Sequence, residues 1–316
     1  MKIAFIFSGQ GSQYIGMGKE IYENFETAKN VFDKANDILD FDLKELVWYG
    51  DKEKLNITEN TQPAILTTSV AILEVLKEKG ITSDVNLGLS LGEYSSLVAS
   101  GALDFETAVA LVRKRGKYMQ EAVPIGVGKM VAVIGLSLEK IEEAVEKARE
   151  KGVVEIANYN TRNQIVIGGQ GLAIDYAKEL LNEAGARRVI ELKVSGPFHT
   201  SLLDPAAEKL EKELEKVNFK DLKVKVVSNV TGEYISNKDE IKSLLKKQVK
   251  SSVKWYQSIE MLIDDGFDTF IEIGPLKTLT SFVREISKQK GIKVNAFNVE
   301  DIKTLNKTLE GLGSLC

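Results

Sequence analysis

The chain has 316 residues, 43% of them hydrophobic, with one histidine, one cysteine and a net charge of −4; its isoelectric point is near 5.5. That length can bury a large core, the acidic balance argues against a general nucleic-acid binder, and the lone Cys316 allows neither an intrachain disulfide nor a cysteine metal site. No stretch approaches the roughly 18 apolar residues of a membrane span, and the apolar run at 3–7 is too short for a signal peptide, so a soluble cytoplasmic protein is expected.

Ile3 to Phe7 reads as a continuous apolar strand, followed by the loop Ser8-Gly9-Gln10-Gly11-Ser12-Gln13 and a helix around Ile15 to Phe25. A loop between strand and helix offers backbone amides to an anion. The nucleotide readings fail on spacing. GxGxxG needs glycine where Tyr14 stands, and a P-loop ending at Gly18-Lys19 needs glycine and Ser/Thr where Gln13 and Glu20 stand. A tight connecting turn and half of an oxyanion hole both remain open. Pro63 to Lys79 reads as a helix with proline in its first turn and Gly80 past its end.

Val85 to Leu87 then ends a short strand before Gly88-Leu89-Ser90-Leu91-Gly92. GxSxG suits a sharp strand-to-helix turn that pushes the serine hydroxyl outward, with a helix from Leu91 to Ala99 behind it. A serine needs a neighbouring base to act as a nucleophile; if that base is an imidazole, it is His199. The amide of Leu91, after the serine, and one from a loop such as Gln10 would complete an oxyanion hole.

In the next helix, Phe105 to Gln120, Glu106, Arg113, Lys114 and Lys117 fall on one side, and Phe105, Ala108, Leu111, Val112 and Met119 on the other. Arg115 points with the apolar set. A buried guanidinium is costly without an anion, which leaves two partners open: an internal carboxylate, or a substrate carboxylate gripped by the planar fork.

Between Pro124 and Pro197 the order is strand Lys129–Leu136, helix Leu138–Lys151, strands Val153–Tyr159 and Gln164–Gly168, helix Ala173–Glu183 and strand Arg188–Val194. That βαββαβ unit is ferredoxin-like. The larger α/β pattern resumes with strands Leu222–Asn229 and Thr269–Ile273. The expected organisation is therefore a large α/β domain with a mainly parallel sheet, residues 1–124 and 198–316, interrupted by a small domain at 125–197. His199 lies in the returning loop Ser195-Gly196-Pro197-Phe198-His199-Thr200, and no acidic residue stands out to orient it.

Taken together, Phe7 to Gln13, Thr61-Gln62-Pro63-Ala64, Gly88 to Tyr94, Arg115-Gly116 with Met119-Gln120, Asn158 and Asn160, Pro197-Phe198-His199, Gln248 to Trp255 and Phe270 to Pro275 run nearly end to end. They resemble the bacterial malonyl-CoA:acyl-carrier-protein transacylases and the acyltransferase domains of fatty-acid and polyketide synthases. The resemblance implies an α/β-hydrolase-like large domain, and transfer of malonyl from malonyl-CoA to the phosphopantetheine thiol of acyl carrier protein through a seryl ester. It implies Ser90 as nucleophile, His199 as base, Gln10 and Leu91 as oxyanion donors and Arg115 as the substrate-carboxylate site. It also implies that the backbone carbonyl of Gln248, not an aspartate, orients His199. Asn160, Gln62 and Phe198 would line the cleft, with no metal and no cofactor, and the protein would be a monomer.

Two positions depart from that pattern: Leu89 stands where the family usually has histidine, and Leu276 where glycine is common. The competing readings are a hydrolase of the same fold, which needs no cation for the acyl end, and a non-catalytic scaffold. Intact Ser90, His199 and Arg115 favour the transferase. Basic residues at Arg187-Arg188, Lys246-Lys247, Lys250 and Lys254 form a candidate face for an acidic carrier.

Overall fold

A computed structural model describes residues 1–124, 126–194 and 196–315. Ile125, at the expected domain boundary, Ser195, in the His199 loop, and the terminal Cys316 lie outside the described residues. The described strands are β1 (Ile3–Phe7), β2 (Val85–Gly88), β3 (Gly128–Ile134), β4 (Val154–Thr161), β5 (Gln164–Gln170), β6 (Arg188–Glu191), β7 (Lys225–Val226), β8 (Thr269–Ile273) and β9 (Asn295–Val299).

Five of them make a sheet in the order β7-β2-β1-β8-β9, with every pairing parallel. The unbroken apolar run of β1 follows from burial on both faces. Phe5 and Phe7 join Leu91, Tyr94 and Ile271 on one side, while Ala4 and Ile6 join Val85, Leu87 and Phe270 on the other. The chain steps from β1 outward through β2 to β7, then returns to the far side of β1 with β8. Open parallel sheets hold their sites at the carboxyl ends of strands beside such a reversal.

The remaining strands form an antiparallel sheet in the order β4-β5-β3-β6. With helices Leu138–Ala148 and Gly171–Glu183 they give the expected βαββαβ sequence and the ferredoxin-like strand order. Val131, Val133, Ile165 and Ile167 pack with those helices. The alternate residues Met130, Ala132 and Val166 face the core that also holds Phe7 and Leu91.

Several expected elements are trimmed or extended. The helix expected over 15–25 is confined to Lys19–Asn24, because Gly16 and Gly18 take positive φ and make the preceding residues a turn. The helix expected from Pro63 begins at Thr58, so Pro63 lies inside it. A proline there removes the partner of the carbonyl four residues earlier, and Arg113 Nη1 donates to that Glu59 carbonyl at 3.4 Å. Of the strand expected over 222–229 only β7 remains, and the strand expected to reach Val194 stops at Glu191. The edge strand β9, half polar and half buried, was not anticipated.

Candidate active site

Gly88 ends β2, and the Gly92–Ala99 helix starts four residues later. A Cβ on Gly88 would overlap the backbone of Gly92, and one on Gly92 would overlap the carbonyl of Phe7 in β1. Both glycines are therefore dictated by close backbone approach. Between them Ser90 takes φ 53°, a left-handed conformation that side-chain-bearing residues adopt at a cost of roughly 1–2 kcal/mol. The turn is held from outside: Asn229, just past β7, accepts from the Ser90 amide at 2.6 Å and donates to the Gly88 carbonyl at 2.7 Å.

His199 sits on the opposing loop, also at positive φ, 61°, and is only 4% exposed. Its Nδ1 lies 2.7 Å from the Gln248 carbonyl and its Nε2 lies 2.7 Å from Ser90 Oγ. A carbonyl can only accept, so Nδ1 carries the proton, and Nε2 is left to accept from the serine hydroxyl. Burial, and then the Arg115 charge, pull the imidazole down to about 4, against the hydrogen bond it donates to the Gln248 carbonyl. The ring is accordingly neutral, and competent as a base, across the neutral range.

Arg115 is 1% exposed. Its Nη1 donates to Gln62 Oε1 at 2.9 Å, and its Nη2 donates to Gln248 Oε1 at 2.9 Å and to Ser90 Oγ at 3.1 Å. Its guanidinium carbon stands 5.4 Å from the Tyr94 ring centroid. Among the described residues Arg115 makes no direct ion pair, and the nearest internal counter-charge is Glu93, reached through the Gln248 side chain. Burial lowers its pKa, yet an arginine stays charged.

A cavity of about 150 Å³ opens on Ser90 and His199, walled by Gln10, Leu89, Asn160, Met119, Met130 and Phe198 among others. A neighbouring cavity of about 190 Å³ shares Gln10, Leu89 and Asn160. Asn160 Oδ1 is buried with no protein partner, and Leu89 forms part of the wall of both cavities. Among the described residues, neither the Gln10 nor the Leu91 amide has an acceptor in the protein, as an oxyanion site requires. Gln62 does not line this cavity; it is buried behind it as an acceptor for Arg115.

The basic face is less uniform than its sequence suggested. Lys246 is paired with Glu211 at 2.6 Å and Lys250 with Asp204 at 2.5 Å, while Lys247 is exposed. Arg187 and Arg188 belong to the antiparallel sheet, at and beside β6. Two buried residues of the site were not picked out from the sequence, Asn229 and Glu93. The available signal for Glu93 was a carboxylate in an otherwise uncharged helix, three residues after the serine. Burial pushes Glu93 up to about 7, outweighing the hydrogen bonds from Gln248 and Asn229 and the Arg115 charge. Among the described residues no cluster of three or more His, Cys, Asp or Glu side chains is arranged for a metal ion, and no helix is long and apolar enough to cross a membrane.

A carbonyl, an imidazole and a serine hydroxyl in series are the arrangement that turns serine into a nucleophile, so the site has the form of an acyl-transfer enzyme. The acyl transferase domain family matches residues 4–307. The chain belongs to this family and is an acyltransferase. It is 47% identical over 312 residues to the malonyl CoA-acyl carrier protein transacylase of Bacillus subtilis strain 168, covering 98% of this chain and 97% of that one. The crystal structure of the Clostridium perfringens malonyl CoA-acyl carrier protein transacylase superposes with a TM-score of 0.96 at 50% identity, covering 100% of this chain and 98% of that one. A malonyl-transacylase solved in complex with a holo type II polyketide-synthase acyl-carrier protein superposes at 0.95 with 38% identity, covering 98% and 100%.

Proposed function

We propose that this acyltransferase moves a malonyl group from malonyl-CoA to the phosphopantetheine thiol of acyl carrier protein, in fatty-acid synthesis, through an ester on Ser90. The observation that carries the reading is the buried Arg115 guanidinium, without a carboxylate partner and 3.1 Å from the Ser90 hydroxyl. Malonyl has a free carboxylate at the right end to complete it.

Ser90 Oγ attacks the thioester carbonyl as His199 Nε2 takes its proton. The Leu91 and Gln10 amides hold the resulting oxyanion. Collapse breaks the carbon–sulfur bond, and the imidazolium returns the proton to the departing coenzyme A sulfur. The carrier thiol then attacks the ester by the reverse sequence, giving ping-pong kinetics. Phe198 crowds the carbon next to the carbonyl, Asn160 offers its unpartnered oxygen to the pantetheine side of the cleft, and the Gln248 carbonyl keeps the imidazole aimed.

With this reading go a monomeric cytoplasmic enzyme, no metal or redox cofactor, and no nucleic-acid or membrane partner. It also includes a small unit at 125–197 inserted between the two parts of the large one. Support for that division comes from the antiparallel strands, which all fall within residues 128–191.

Intact-mass measurement after incubation with malonyl-CoA tests the reading: one malonyl mass appears on Ser90 and is removed by holo carrier protein. Labelling that persists in Ser90→Ala overturns the nucleophile. A label lost to water as fast as to carrier makes the protein a hydrolase instead.

A further inference from the structure

Glu93 has no exposed surface and no part in the chemistry above, yet its carboxylate ties together every element of the site. Its Oε2 accepts from Gln248 Nε2 at 2.6 Å and from the Asn229 amide at 3.2 Å. Asn229 in turn pins the Ser90 turn from both ends. Gln248 donates to the Ser90 carbonyl at 2.8 Å, gives its side-chain oxygen to Arg115 and gives its main-chain oxygen to His199. A carboxylate only accepts, so it forces the nitrogen end of the Gln248 amide toward itself and the oxygen end toward the guanidinium.

We propose that Glu93 is a positioning residue that balances Arg115 through the Gln248 amide, holding the cation in place without a direct carboxylate contact, so that Nε, which has no protein partner, and the remaining Nη1 proton stay available to the substrate carboxylate. A direct ion pair would fill the fork, and no counter-charge would leave a buried cation uncompensated. The amide relay does neither. The ionisable groups facing Glu93 are Arg115 from the Phe105–Ala122 helix and Tyr94 from its own helix. His199, across the site, feels Arg115.

This inference rests on the acyl-transfer reading, and single-turnover acylation by malonyl-CoA and by acetyl-CoA separates the two. Failure of the wild-type enzyme to label Ser90 defeats the transfer reading. Given wild-type labelling, Glu93→Gln is expected to slow malonyl acylation by about 30-fold, the order of one charge-assisted hydrogen bond, and acetyl acylation by clearly less. In a Gln248→Ala background, which keeps the main-chain carbonyl, the same substitution should cost only about threefold, because the relay is already gone. A wild-type decline in malonyl acylation below about pH 7, where Glu93 takes up its proton, should be absent from Glu93→Gln. Equal losses for malonyl and acetyl, full multiplication of the two substitutions, or an unchanged pH profile would each overturn the proposal. If Glu93→Gln fails to fold, Glu93→Asp is put through the same cycle against Gln248→Ala, with the same outcomes deciding.

Discussion

Ser90, His199 and Leu276 are the described non-glycine residues at positive φ, and the first two share one hydrogen bond. Strain that the surroundings over-determine marks such positions. Leu276, at φ 64° and 40% exposed, holds a conformation that glycine takes without steric cost. The sharpest residue-scale prediction concerns Arg115. Arg115→Ala should cut malonyl transfer by at least about two decades, since an unpaired member of a buried charged pair costs on the order of 2–5 kcal/mol. Acetyl transfer should hold or rise. Arg115→Lys should not restore the malonyl rate, because ammonium lacks the planar fork. Equal losses for both acyl groups would make the arginine structural. A second prediction concerns His199, since an unperturbed imidazole titrates near 6.5. Burial and Arg115 disfavour the charged ring, so His199 should stay neutral as pH falls from 8 to 5 and lose its function as a base only toward about 4. With one histidine in the chain, its ring carbon signals in an NMR titration report this directly. A protonation midpoint at 6 or above would contradict the assignment.

At the scale of elements, the turn from β2 into the Gly92–Ala99 helix works because three backbones crowd together. Gly88→Ala places a methyl group on the Gly92 backbone, and no flexible side chain is there to yield. It should destabilise the protein by roughly 3 kcal/mol or more, as a strained close-packing site does, and abolish Ser90 labelling in whatever folds. A melting temperature within a degree or two of wild type would refute this account. Gly116 plays the same part between helices: its Cβ would lie 2.6 Å from the Thr58 carbonyl at the start of the Thr58–Glu78 helix. That contact brings Arg115 against Gln62 on the facing helix. The amphipathic pattern of the Phe105–Ala122 helix showed that Arg115 is buried; only the packing of the two helices showed what it meets.

At the scale of the molecule, the antiparallel sheet lays Met130, Val166 and Asn160 over the serine and histidine, and a carrier thiol must enter from the surface around that closure. Lys247 is the exposed lysine of a rim where Lys246 and Lys250 already have carboxylate partners. Lys247→Glu should slow discharge to an acidic carrier and spare acylation by malonyl-CoA, with the effect shrinking as salt rises. Equal effects on both half-reactions would remove this surface from carrier docking.

What the sequence determined by itself was whatever depends on local order. The apolar run of β1, the glycine spacing around Ser90, the βαββαβ succession and the single histidine are all readable along the chain, because backbone sterics and side-chain periodicity act within a few residues. The tertiary structure alone decided the partners. Asn229 and Gln248 reach Ser90 from 139 and 158 residues away, Glu93 meets Gln248 across 155, and no periodicity encodes such pairings. It also decided the burial of His199 and the partners of Arg115, because burial and Coulomb interactions depend on which distant groups fold into contact and how far water is excluded.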